Sequence, residues 1–299
     1  MHGTLGGPAT IDAAVAPAVR HNRYATVVLL RFLRQPVPMT AAVILLVVML
    51  AAIFAGFIAP ADPFQTRVAR RLAEIGTPGR WLGGDELGRD VLSRLIYGGR
   101  ISLAMAILPV AVGLFVGGFL GVLAGYAGGR TNMAIMRAMD VFYAFPSILL
   151  AVAIAGALGP GLVNAILALS LVFIPPIARM AESVTTQVRS YEYVIAARLT
   201  GASTLRILRE HVLSNVAGPI LVFASSQVSV SIIAASGLSF LGLGVSPPNS
   251  DWGLMLSALR QSIYINPWVA ALPGAMIFLC SVCFNLVSDG VRQAMEVRR

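Results

Sequence analysis

The chain contains no lysine; all 22 of its basic residues are arginine. A phosphate-gripping P-loop needs a lysine at the β- and γ-phosphates, and a Schiff-base enzyme needs a free amine, so neither chemistry resides here. Histidine is scarce as well: His2, His21 and His211 are scattered along the sequence and form no metal-binding cluster. Neither G-x-S-x-G nor H-E-x-x-H occurs, so nothing supports catalysis by the chain itself. The only cysteines, Cys280 and Cys283, form a C-x-x-C inside the uncharged stretch "MIFLCSVCFNLV". There they read as small buried core residues rather than as a redox or metal pair.

Charge of either sign is equally thin. Only 12% of residues are charged against 57% hydrophobic, and the mean hydropathy is +0.81, whereas soluble domains run near about 25% charged. The composition is that of an integral membrane protein. In so apolar a chain the net charge of +9 reads as topology-setting arginine beside anionic lipid, not as a nucleic-acid surface. Ionisable groups inside the apolar stretches are too few for the proton relay of a pump.

Crossing about 30 Å of hydrocarbon takes roughly 20 apolar residues. Residues 39–59 satisfy this without a charge; the run exceeds a signal-peptide core and follows a leader of residues 1–38, so it reads as a retained helix. Further spans are expected at 101–126, 138–158, 161–180, 216–241 and 267–288, six in all, with "GPG" at 159–161 making a tight hairpin. An even number puts both termini on one side. That side carries 14 of the 22 arginines, including Arg130, Arg137, Arg179, Arg189, Arg198, Arg206, Arg209 and Arg292. The positive-inside rule therefore predicts cytosolic termini, an extracytoplasmic loop at 60–100, a cytosolic loop at 181–215 and a cytosolic tail at 291–299.

The loop "RLTGASTLRILREHVLSN", 198–215, is unusually polar for this chain. Val194, Ala197, Gly201, Leu205, Leu208 and Val212 fall on one stripe at helical spacing. Gly201 is expected to end a first helix and Ser203 to cap a second. Two readings fit such a helix-turn-helix: a connector lying on lipid headgroups, and a docking element whose small residues Ala196, Ala197, Gly201 and Ala202 admit a partner closely.

The stretches "EYVIAARLTGAS" at 192–203, "RI" at 206–207 and "HVLSN" at 211–215 resemble the loop by which permease subunits of ABC importers engage their ATPases. Ile195 stands where that pattern has glutamate and Ser214 where it has proline. The first departure removes one polar contact to an ATPase; Glu192 lies a turn earlier on a similar face. "WLGGDELGRDVLSRLIYGGRISLAMA" at 81–106 and "LSFLGLGVSPPNSDWGLML" at 238–256 are similar to signatures of the second permease subunit of dipeptide, oligopeptide and nickel importers. This resemblance runs from about residue 81 to 290.

It implies an all-α, six-span permease of the type I ABC importer fold in the bacterial plasma membrane, with a core at 101–290. The implied work is ATP-driven import of dipeptides or oligopeptides, or alternatively of nickel or another small solute. The implied partners are a second, different permease chain, cytosolic ATPases that bind ATP and Mg, and an extracytoplasmic substrate-binding protein; the chain itself takes no cofactor. ATPase coupling is expected at Glu192, Ala196, Ala197, Arg198, Leu199, Gly201, Ala202 and Ser203. A self-contained secondary transporter and a non-transporting scaffold are the rivals from other classes, the first disfavoured because no inverted repeat with broken spans is visible.

Four other features bear on function. Residues 86–97 read as an external amphipathic helix with Leu87, Val91 and Leu95 on one face, either packing the loop or serving as a platform for the binding protein through Asp85, Arg89, Asp90 and Arg94. Gly113, Gly117, Gly121, Gly125 and Gly129 form a ridge for close helix packing. Ser225, Ser229 and Ser236 share a face of the fifth span and suit either the wall of a peptide pathway or interhelical packing. Asp140, at the start of the third span, is either functional or bonded locally, to its own helix end or to Arg137.

Overall fold

The computed structural model describes residues 21–296. The first 20 residues of the leader, with His2 and Arg20, and the last three of the tail, with Arg298 and Arg299, lie outside the described residues.

Among the described residues the architecture is helical. Helices α1 (His21–Leu33), α2 (Pro36–Ile53) and the single turn α3 (Ala55–Ile58) are followed by a loop with one short 3-10 turn, Val68–Arg70. Then come α4 (Val91–Ala127), α5 (Gly129–Tyr143), α6 (Ser147–Leu158) and α7 (Leu162–Arg189). The remainder comprises α8 (Glu192–Leu199), the turn α9 (Thr204–Arg206), a π-helical segment Ile207–Leu213, α10 (Ser214–Phe240), α11 (Trp252–Leu259) and α12 (Pro267–Met295).

Five helical stretches are long and apolar enough to cross a membrane, and α5 with α6 makes a sixth if that pair, bent by 84°, is one span. The expected third span, 138–158, is therefore not a straight helix: Pro146 cannot extend α5, and the chain turns sharply at 144–146 before α6 begins. The first span also ends early. At Phe54 the helix breaks, and Arg100 from α4 caps it, donating through Nε to Ala52 O at 2.6 Å and through Nη2 to Ile53 O at 2.8 Å.

The amphipathic helix expected at 86–97 requires correction. Helix α4 starts at Val91, because Asp90 caps it by accepting from Ser93 N at 2.8 Å and Ser93 Oγ at 2.6 Å. It then runs without interruption into the second span. Leu87 lies before the helix and is exposed, whereas Val91 and Leu95 are buried.

The glycine ridge packs α4 against α7. A Cβ on Gly117 would sit 2.5 Å from Ile174 O, one on Gly125 2.7 Å from Glu182 O, and one on Gly121 would meet Ala178 O. Only hydrogen fits in these positions, so the two backbones approach as closely as helices can. Gly129 does not belong to the ridge: it opens α5, and a Cβ there would meet nothing.

Trp252, fully buried, fastens the loop before the last span to α4, donating through Nε1 to Leu95 O at 2.9 Å, while its backbone N–H reaches Ser102 Oγ at 2.9 Å. At the hairpin between α6 and α7, Asn164 Nδ2 donates to Leu158 O at 2.9 Å and Gly159 O at 3.1 Å, so the expected turn at 159–161 is present.

Candidate functional site

The bracket 191–215 is built by local chemistry. Helix α8 ends where Gly201 takes φ +81°, a conformation that costs a side-chain-bearing residue about 1–2 kcal/mol. Its N–H closes onto Arg198 O at 3.2 Å, and Ala202 N onto Ala197 O at 3.2 Å. Ser203 then caps the next helix, its Oγ accepting from Arg206 N at 3.4 Å. Both expectations from the sequence are met.

The second helix of the bracket is not a separate element. From Thr204 through Phe240 the chain is one helical stretch of 37 residues, passing through the π-helical segment and into the fifth span. Ser214, where the family pattern has proline, donates through Oγ to Arg209 O at 3.2 Å, and Asn215 Nδ2 donates to His211 O at 2.7 Å. These side chains satisfy carbonyls where the wider π turn has shifted the backbone ladder.

One face of the bracket is anchored and the other is bare. Val194, Ile207 and Val212 are buried. Leu199 is 83% exposed and Leu205 76%, with Tyr191, Tyr193, Ile195 and Leu213 also exposed. Leu205 thus leaves the buried stripe that its spacing suggested, and Ile207 takes its place. Tyr193 sits 5.9 Å from the Tyr191 ring and 6.2 Å from that of His211, joining α8 to the π segment. Partial burial pushes its phenol up from the ordinary tyrosine value, with Tyr191 adding to the effect.

Of the eight residues expected to couple, Glu192, Ala196, Arg198, Leu199, Gly201 and Ser203 are exposed, and Ala197 and Ala202 are half-buried against the core. Arg198 lies 5.7 Å from the Tyr126 ring, and Arg189 Nη1 donates to Tyr126 O at 3.0 Å, so the bracket leans on the end of α4. Tyr191, Ile195 and Leu205 stand exposed beside the residues expected to couple.

At the other end of the molecule the four residues expected to meet a binding protein are buried. Asp85, Arg89, Asp90 and Arg94 are 2%, 6%, 1% and 3% exposed. Asp85 Oδ2 takes Arg89 Nε at 2.7 Å and Arg94 Nη1 at 2.6 Å, while its Oδ1 accepts from Leu87 N at 2.9 Å and Arg89 N at 2.8 Å. Arg80 pairs with Asp90 at 3.5 Å and donates to Gly88 O at 3.1 Å. The cluster folds the 60–90 loop onto the start of α4, each of these carboxylates and guanidinium groups pairing with another of the cluster.

The serines of α10 also turn inward. Ser225 Oγ lies 2.9 Å from Ser288 Oγ of α12, Ser229 Oγ donates to Ser226 O at 2.7 Å, and both Ser229 and Ser236 are buried. Ser225 thus bonds both across to α12 and within its own helix, and Ser229 within its own helix. The open face of α10 is instead Gln227, Val230, Ile233 and Ala234, which border a cavity with α5, α6 and α7. Asp140 pairs with Arg179 of α7, not with Arg137, and Arg179 lies over the Tyr143 ring at 4.8 Å.

The N-terminal TM domain of oligopeptide transport permease C matches residues 24–74. The glutathione transport system permease protein GsiD of Pectobacterium atrosepticum is 42% identical over 266 residues, 89% of this chain and 88% of that protein. The di/tripeptide transport system permease protein DppC of Pseudomonas aeruginosa is 42% identical over 261 residues, 84% of this chain and 85% of that one. Among solved structures, the inward-facing methionine ABC transporter MetNI shares the fold with a TM-score of 0.56 at 20% identity, over 68% of this chain and 96% of that one. The match to the binding-protein-dependent transport system inner membrane component spans residues 117–298, and with the apolar helices and these relatives it shows that the chain is a multi-pass inner-membrane protein belonging to that family of ABC importer permeases.

Proposed function

We propose that the chain is one permease subunit of an ATP-driven importer of short peptides, forming half of the translocation path beside a second, different permease. Its 191–215 bracket receives cytosolic ATPases, which hold ATP and Mg, and an extracytoplasmic binding protein delivers substrate at the other end. Both termini then lie in the cytosol, with 60–100 outside and the tail from 291 inside. Relatives named for di/tripeptide, D,D-dipeptide and glutathione transport support the substrate class.

The observation that carries this reading is the continuity of Thr204–Phe240. A helix of 37 residues is roughly 55 Å long, well beyond the approximately 30 Å of hydrocarbon. Its bracket end therefore stands clear of the membrane, and a displacement of the bracket is carried directly into the fifth span. Exposed Leu199 and Leu205 offer an ATPase two apolar contacts on either side of the Gly201 turn. ATP drives the permease between states only to the extent that the ATPases grip this bracket differently in each.

Photocrosslinking from Leu199 and Leu205 in native membranes tests the proposal. Capture of an ATP-binding subunit at both positions is expected. Lipid adducts alone, from a complex shown intact by co-purification, would return the bracket to an interfacial connector.

A further inference from the structure

We propose that the cavity between the α5–α6 bend, α7 and α10 is a subsite for an apolar side chain of the transported peptide, together with the peptide unit that bears it. The inference rests on the peptide-import reading above and names what this part of the path recognises. The cavity holds about 320 Å³ and is walled by Phe142, Tyr143, Ile148, Phe173, Val230 and Ile233 among others, with no charged side chain in its lining. Ligand pockets run from roughly 300 to 1,000 Å³, so this one takes a single side chain with its backbone rather than an oligopeptide.

Beside the hydroxyl-bearing Tyr143 and Ser147, its lining includes amide groups, most of them set free by breaks in helices. Pro176 has no N–H, so the carbonyl of Val172, which lines the cavity, has no helical partner in α7. At the bend, α6 begins at Ser147 after Pro146, with no side-chain cap, and the first N–H groups, of Ser147 and Ile148, have no intrahelical acceptor. Both residues line the cavity. Gln227 faces it from α10, and its side-chain amide makes no hydrogen bond among the described residues.

Irregular backbone at membrane depth persists where it lines a polar cavity rather than lipid. Donors at 147–148, an acceptor at Val172 and the two-way amide of Gln227 complement a peptide unit. A lipid acyl chain has the same apolarity but would leave every one of these groups unpaired. The Asp140–Arg179 pair adjoins the cavity through Tyr143, a lining residue over whose ring Arg179 lies. Charged groups thus adjoin the site without entering it, which favours apolar over charged side chains inside.

The test uses the whole transporter, both permeases with ATPases and binding protein, in proteoliposomes, following ATP-dependent uptake of Ala-Phe and Ala-Ala. Ala234→Phe fills the cavity and is expected to lower the ratio of Ala-Phe to Ala-Ala uptake roughly tenfold, the discrimination a few methylenes carry in an apolar pocket. An unchanged ratio, with both dipeptides still transported, overturns the subsite and leaves the peptide reading standing. Uptake of neither by an assembled, ATP-hydrolysing wild type overturns both. Should the variant not assemble, the wild-type complex is photolabelled with a dipeptide carrying benzoylphenylalanine. Adducts within 142–151 or 227–234, competed by Ala-Phe, support the subsite; adducts only elsewhere, or a bound lipid at these residues that Ala-Phe does not displace, overturn it.

Discussion

The 80–94 segment and the 191–215 bracket each carry three arginines outside the spans, and the fold treats their charges in opposite ways. In the first, Arg89 and Arg94 converge on one carboxylate with all three side chains less than a tenth exposed. In the second, the Arg206–Glu210 pair spans 3.2 Å with side chains 67% and 52% exposed. Motif density alone does not distinguish a surface from a brace. A buried charge left unmatched is costly, and the outer cluster's charges are paired with one another, while the bracket's apolar rim, Leu199 and Leu205, remains open.

The largest expected effect tests the brace. Asp85→Ala strands the buried Arg94 guanidinium, leaves Arg89 with Glu86 alone, and unpairs the N–H groups of Leu87 and Arg89, a loss of about 3–5 kcal/mol. Thermal unfolding of the purified protein in detergent measures it; a Tm equal to the wild type would mean that the cluster braces nothing.

A pair of glycines sharpens the contrast. Gly88, at φ +72°, would drive a Cβ into Arg67 O, whereas Gly201, at φ +81°, has open space around it. Gly88→Ala is expected to cost roughly 2–4 kcal/mol from strain and overpacking together, and Gly201→Ala about 1 kcal/mol from strain alone. Equal Tm losses would contradict the packing difference between the two ends.

Asp251 gives the outer end a pH dependence. It caps α11 through Gly253 N at 2.8 Å and Leu254 N at 3.2 Å, yet burial outweighs these bonds and the field of Arg94, and pushes its carboxyl above the ordinary carboxylate value. A raised pKa means that the folded state holds the proton more tightly than the unfolded chain does. Its contribution is most favourable below the unfolded value and is lost as pH rises through the folded one. Asp251→Asn keeps the capping acceptor and removes that loss. The variant's Tm should equal or exceed the wild type's at neutral pH, with the difference shrinking on acidification; a Tm deficit that grows toward neutral pH would contradict the assignment.

The smallest effect belongs to the bracket. Arg206→Ala removes an exposed pair worth at most about 1 kcal/mol, further reduced by salt. A loss of Tm comparable to that of Asp85→Ala would erase the distinction drawn between the two regions.

The features legible in the sequence are those set by neighbours along the chain. The Gly201 turn, the Ser203 cap, the 159–161 hairpin and the last span depend on conformational preferences within a few residues, and the glycine period from 113 to 125 shows a packing face whatever it packs against. Less was legible where the partner is distant. Asp140 meets Arg179 across 39 positions, and spacing on a single helix pointed instead to Arg137. The bend at 144–146 was masked by the apolar runs on both sides of Pro146, which read together as one span.

Composition and periodicity by themselves determined that this is a multi-spanning helical membrane chain without its own nucleotide-binding lysine, carrying a polar bracket of helix-turn-helix form. Burial follows from which faces meet in three dimensions, and a one-dimensional pattern does not contain those pairings. Only the tertiary structure decided that the outer arginines are spent inside the fold, that α4 and the Thr204–Phe240 stretch are continuous, and that Gln227, Val230, Ile233 and Ala234, rather than the serines of the same helix, face the cavity.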